Sequence, residues 1–223
     1  MNLFFHTPRK DQCHTCTRYY LITEGEKENE AESFQQHQSR AKRAREVKNA
    51  ITDGILHSEE GLESAMLLNM DLQRVLETPK AETGPIFYKR KLAVYNMTIF
   101  NLVTKEAHCN LWDQTKGQRG ANEVATLMYN ILKENTIYRK LYFVTDGCCG
   151  QFKNQFVASM FLYATRTLHH VQEINHIFLE SGHSQQEGDS MHSCIEKAAK
   201  HLPVFSIENW RTVGLIARTN PEP

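Results

Sequence analysis

Three aspartates stand at or just beyond the ends of apolar runs: Asp71 closes AMLLNMD, Asp146 follows KLYFVT, and Asp189 comes after INHIFLE. Carboxylates carried by separated elements suit one kind of chemistry. Hydrolysis or transfer of a phosphodiester by two metals needs hard oxygen ligands around Mg2+ or Mn2+ ions held roughly 4 Å apart, one activating the nucleophile and the other stabilising the leaving oxygen. Asp71, Asp146 and Asp189 are therefore the candidate catalytic and metal-ligating residues, with Asp113, beside Trp112, as the alternative to Asp71. The third position has rivals, because GHSQQEGDSMHSCIE holds Glu187, Asp189 and Glu196 together with His183 and His192. A short side chain that opens a helix just past a strand reaches the strand ends, whereas Glu196 lies about two turns and roughly 10 Å further along the axis. Glu187, on a glycine-flanked loop before that helix, is the second choice, and His183 and His192 take supporting parts in proton transfer or phosphate contact. An acid at a helix start is also an ordinary cap, and an aspartate before glycine an ordinary turn residue. What favours chemistry at Asp146 is its setting in TDGCCGQFKNQ, where Gln151 and Asn154 add hydrogen-bonding side chains straight after a buried strand.

A second metal chemistry is suggested by Cys13 and Cys16, a Cys-x-x-Cys pair with His6 and His14 close by. Such a pair is half of a zinc site, and a structural zinc wants four ligands. His37 or His57 could complete it after folding, but no second Cys-x-x-Cys follows, so the expectation is an incomplete zinc site. The adjacent Cys148 and Cys149 do not suit a shared metal, and six cysteines in 223 residues read as thiols or ligands rather than a secreted disulfide framework.

The elements that must position these residues follow from periodicity. Residues 1–58 read as an N-terminal Cys-x-x-Cys segment and a polar, solvated helix from Glu24 to about Asn49; residues 59–223 read as one domain, cut short at its proline-rich end. In that domain a strand ends at Asp71, a hairpin follows in 91–103 and 107–112, and apolar positions at helical spacing run from Val124 to Leu132. Leu141 to Val144 is a strand buried on both faces, 152–168 a helix, 174–179 a strand and 189–202 a helix, with one more strand expected in the tail. This order predicts an α/β fold of the ribonuclease-H-like type. Its mixed sheet is a three-strand antiparallel meander extended by parallel strands, with flanking helices and the N-terminal appendage.

Charge narrows the partners only locally. Lys plus Arg and Asp plus Glu are both 26, so net charge offers no argument for nucleic acid. The basic cluster Arg40, Lys42, Arg43, Arg45 and Lys48 is the candidate contact to DNA phosphates, or a nuclear localisation signal. No apolar run approaches the roughly 20 residues that cross a bilayer, and the start lacks the order of a signal peptide, so an intracellular protein with no membrane partner is expected.

Several motifs together carry a resemblance: Pro8 to Cys16 (P-x-K-D-x-C-x-x-C), Asp71 to Pro79 (DLQ-x-VL-x-x-P), Tyr88 to Asn96 (Y-x-R-x-L-x-x-YN), Trp112-Asp113 with Arg119 to Glu123 (RGANE), Asp146 to Asn154 (D-x-C-x-GQ-x-KN) and Phe178 to Glu196 (FLE-x-GHS-x-x-E-x-DS-x-H-x-x-IE). The chain resembles an uncharacterised, transposon-derived domain family present in many copies in insects and other animals. The resemblance implies, by analogy, a ribonuclease-H-like, DDE-transposase-related domain. It leaves two functions open, a metal-dependent nuclease or transposase acting on DNA and a catalytically inactive domesticated domain that binds nucleic acid or protein.

Overall fold

The computed structural model describes residues 12–58, 65–184 and 186–217. His6 and the Pro8–Asp11 part of the first motif lie outside them. The chain runs α1 (His14–Leu21), α2 (Glu24–Leu56), β1 (Ala65–Leu72), β2 (Leu76–Thr78), α3 (Gly84–Phe87), β3 (Leu92–Asn101), β4 (Ala107–Asp113), α4 (Ala121–Glu134), β5 (Lys140–Thr145), α5 (Gln155–Thr167), β6 (Glu173–Phe178), α6 (Glu187–Ala199) and α7 (Ile207–Ile216).

The six strands form one mixed sheet. β1 and then β2 pair antiparallel along one edge of β3, and β4 pairs antiparallel along the other. β5 adds parallel to β1, and β6 parallel to β5. Parallel strands cannot be joined by tight turns, so the chain crosses over through α4 and α5 between them. The observed class is therefore mixed α/β with a six-stranded mixed sheet and flanking helices.

Strand alternation divides β1 cleanly. Met66, Leu68, Met70 and Leu72 face one way, into a core with Met97 and Ile99 of β3, Val124, Met128 and Leu132 of α4, and Val157 and Ala164 of α5. Each fully buried Leu or Met contributes about 1.5–3 kcal/mol. Ala65 and Leu67 face the other way, against Phe100, Val144, Leu179 and Ile55 of α2. Asn69 and Asp71 share this second face by register. The sheet thus carries a polar stretch on β1 and β3, with Asn69, Asp71, Asn96 and Thr98, covered by α6 rather than by apolar helix.

The N-terminal helix and the tail differ from the sequence reading. The solvated helix runs on to Leu56, and its thin stripe of His37, Ala41, Ala44, Lys48, Ile51 and Ile55 is buried or half-buried, so the N-terminal segment packs onto the sheet. The strand expected in the tail is the helix α7 instead. Ser206 accepts the N–H of Asn209 (3.2 Å) as its cap, and Trp210 and Val213, three apart, face Leu76 and Val94. Only Val204 behaves as strand there, in a bridge with Lys80.

Candidate metal centre

Asp71 is the last but one residue of β1, and Asp146 follows the last residue of β5, the parallel neighbour. Asn69 pairs with Val144, so two residues further on both carboxylates emerge on the same face at the carboxyl ends of adjacent strands. Open α/β sheets place their sites at such ends. The N-terminus of α6 lies over the end of β1 and its neighbour β3. Candidate ligand atoms of Asp71, Asp189 and His192 all fall within 4.8 Å of one another.

That approach depends on a missing side chain. A Cβ on Gly188 would stand 3.3 Å from the Asp71 Cβ and 3.8 Å from that of Thr98, so α6 reaches the sheet as closely as it does because residue 188 has none. Asp189 keeps one carboxylate oxygen on the backbone N–H of Gln186 (2.9 Å), a capping contact, while its charge bears on Asp71. α6 begins at Glu187, two residues before the start read from sequence, and Glu187 is not a loop residue free to swing. Its carboxylate accepts from Lys48 Nζ (2.9 Å) and from Asn69 Nδ2 (2.7 Å).

Burial, followed by the charges of Asp189 and Asp146, pushes the Asp71 carboxyl up to about 6. Burial also raises Asp146, against a hydrogen bond from the Cys148 N–H (3.2 Å) and the charge of Arg119. Burial holds His192 below the ordinary histidine range in spite of Asp189 and Glu196. The neutral ring has its Nε2 on the Thr98 hydroxyl (2.9 Å) and its Nδ1 3.5 Å from Asp71 Oδ2. With the proton on Nε2 and donated to Thr98, the Nδ1 lone pair is turned toward the acids. Asn69, only 1% exposed, has a buried carbonyl Oδ1 with no hydrogen-bond partner. Clustered anions, a neutral imidazole and an unsatisfied carbonyl together fit a divalent cation.

Other expected residues lie elsewhere. Glu196 accepts from Gln73 (3.4 Å) rather than joining the acids. Asp113 holds the Thr115 N–H and hydroxyl in its own turn and is not in the cluster. Asn154 caps α5, accepting from the Phe156 and Val157 N–H groups (3.1 Å each), which is a structural duty. Gln151 sits in the turn before it. His183, expected beside the acids, is turned to Cys16 (3.2 Å) and His37 (3.0 Å), because the loop after β6 bends toward α1. His57 instead bonds the Asp53 carbonyl (2.8 Å) at the end of α2. Of the basic cluster, Arg40 is bidentate on Glu180 and Lys48 is half-buried on Glu187, Lys42 pairs with Glu46, and Arg43 and Arg45 are exposed. A cleft of about 560 Å3 lined by Trp112, Glu123 and Arg211 includes none of the three aspartates.

Asn69, Thr98 and Gly188 were not singled out from sequence. Polar Asn69 inside the apolar run AMLLNMD was the available signal.

These features define a mixed α/β domain with a cluster of carboxylates and a histidine at the end of β1. The chain belongs to the family described as Domain of unknown function (DUF7869), whose pattern matches residues 101–213. That stretch holds Asp146, Asp189, His183 and His192. No curated protein and no solved structure matches the chain. Among the described residues, no helix is long and apolar enough to cross a membrane.

Proposed function

We propose that this domain is a transposon-derived, ribonuclease-H-like nuclease or transposase that cleaves DNA phosphodiesters with Mn2+ or Mg2+. The observation that carries the reading is the cluster of Asp71, Asp189 and His192, from a strand end and a helix start, with Asp146 at the end of the adjacent parallel strand near enough for its charge to bear on Asp71. The strand order adds support, since an antiparallel β1-β3-β4 set extended by parallel β5 and β6 is the order that a ribonuclease-H-like sheet requires.

Asp71, Asp146, Asp189 and the Nδ1 of His192 would hold the ions. A nitrogen among the donors favours Mn2+ over Mg2+. When bound, divalent metal supplies an activated water and charge stabilisation at the leaving oxygen. The chain's own residues do the positioning. Gly188 lets Asp189 close on Asp71, Thr98 fixes the His192 tautomer, and Lys48 with Asn69 keeps Glu187 ionised at the rim. Arg119, whose charge is felt at Asp146, together with the exposed Arg43 and Arg45, offers phosphate contacts, and the same basic residues suit a nuclear protein.

The test is cleavage of a labelled DNA duplex by purified chain with Mn2+, Mg2+ or EDTA. Asp71→Asn, Asp146→Asn and Asp189→Asn should each abolish product, and Glu196→Gln should retain it. A wild-type chain inert with both metals would overturn the enzyme reading in favour of an inactive nucleic-acid- or protein-binding domain.

A further inference from the structure

The expected half-site at Cys13 and Cys16 is completed by residues far along the chain. Cys13 is the N-cap of α1 and Cys16 lies in its first turn, so the helix start brings both sulfurs to one side. His37 comes from α2 and His183 from the loop after β6. Their ligand atoms lie within 4.8 Å of one another, with Cys13 Sγ 3.2 Å from His37 Nε2, Cys16 Sγ 3.2 Å from His183 Nε2, and the two Nε2 atoms 3.0 Å apart. Tetrahedral zinc with sulfur at about 2.3 Å and nitrogen at about 2.0 Å sets its ligand atoms roughly 3.3–3.8 Å apart. Three of the six separations stand just inside that spacing, and the others fall within 4.8 Å.

From this geometry we infer that Cys13, Cys16, His37 and His183 bind one structural Zn2+, which staples α1 and α2 to the loop that leads into α6. The surroundings are those of a metal site. His37 donates its Nδ1–H to Glu180 (2.8 Å), which leaves Nε2 as the lone pair facing the sulfurs, and Arg40 fixes Glu180 through two bonds of 3.1 Å. Gln38 donates to Cys16 Sγ (3.0 Å), a contact suited to a thiolate. Gly182 adopts φ of 77°, and a Cβ there would come within 2.7 Å of the Cys13 Cβ. A thiol redox pair is the competing chemistry for Cys-x-x-Cys, but it gives no account of two imidazole nitrogens converging on sulfurs of which Cys13 is 7% exposed. The inference is independent of the nuclease reading. Its consequence for that site is mechanical, since the stapled loop leads directly to Glu187, Gly188 and Asp189.

Chain purified from zinc-supplemented cells and dialysed without chelator is assayed for metal by atomic emission, then exchanged into Co2+. About one zinc per chain and the visible bands of tetrahedral thiolate-bound cobalt are expected. Cys16→Ser and His183→Ala should lower zinc retention at least about tenfold, and Asp71→Asn should leave it unchanged. Should those variants fail to fold, alkylation of the wild-type chain decides: zinc should shield Cys13 and Cys16, and chelation should expose them while Cys109 and Cys149 react throughout. Protein with no zinc and no cobalt bands, a Cys13–Cys16 disulfide in its place, or full zinc in the His183 variant would overturn the proposal.

Discussion

Gly188 packs against the Asp71 side chain: a Cβ at 188 would meet the Asp71 Cβ at 3.3 Å. Gly188→Ala should therefore displace the start of α6 by a few tenths of an ångström. Alanine is the better helix former by roughly 0.5–1 kcal/mol, so the net stability change should stay within about 1 kcal/mol. Mn2+ affinity should fall several-fold while the melting temperature moves by no more than about 2–4 °C. Calorimetric titration of Mn2+ beside a thermal melt checks both.

Asp71→Asn removes a carboxylate that burial and two neighbouring acids disfavour. Its isosteric amide should stabilise metal-free protein at pH 7.5 by about 1–3 kcal/mol, a rise of several degrees in melting temperature for a chain of this size, and should abolish Mn2+ binding. Stability gained as binding is lost marks a residue kept for function.

The same carboxyl gives a pH dependence. Folding raises the Asp71 carboxyl to about 6, so the folded state favours its proton. Its contribution to metal-free stability is full below about pH 4 and is lost as pH climbs through about 6. Metal binding must displace that proton, so Mn2+ affinity should fall about tenfold per pH unit below 6 and level off above it. Titrations between pH 5 and 8 check the slope. A flat profile excludes Asp71 as a ligand.

Lys48→Met should destabilise by about 1–2 kcal/mol, because Glu187 would keep its charge with Asn69 and its own backbone N–H but no cation to satisfy it. The loss stays below that of a fully buried pair, as the Glu187 side chain is 34% exposed. Lys48→Met with Glu187→Gln should recover most of it. Urea melts of the two single variants and the double variant measure the coupling.

Gly182→Ala should cost more than 2 kcal/mol, since residue 182 combines φ of 77° with a Cβ that would overlap Cys13. The melt should shift and zinc retention fall together. Gly150→Ala, where open space surrounds the backbone, is the control.

Much of the sheet was legible. The apolar runs AMLLNMD and LYFV placed β1 and β5, and strand ends placed Asp71 and Asp146. The start of α6 was misplaced because Asp189 resembles a cap, while the cap is Gln186 and Asp189 bonds back to it. The partners of Cys13 and Cys16 were not legible in full. His37 was one of two candidates, but His183 lies 146 residues beyond it, and nothing local tells a ligand histidine from a general base. α7 was read as a strand because Val, Leu and Ile in its sequence outweighed the Ser206 cap.

The buried stripe of α2 has to wait for its partners during synthesis. Glu180, His183 and Glu187 follow the α2 residues they bind by 143, 146 and 139 positions. At 5–20 residues per second, α2 emerges from the ribosome roughly 7–30 s before them. A 33-residue helix with a rich apolar face would spend that interval seeking wrong partners. Beyond Phe34, which stacks on Tyr19 of α1, the stripe that docks on the sheet side holds Ala41, Ala44, Ile51 and Ile55 as its apolar members, interrupted by Lys48 and headed by His37. The sparseness that made it read as solvated from sequence keeps the nascent helix soluble, and its docking waits on ionic and ligand contacts that exist only once the far end of the domain has been made.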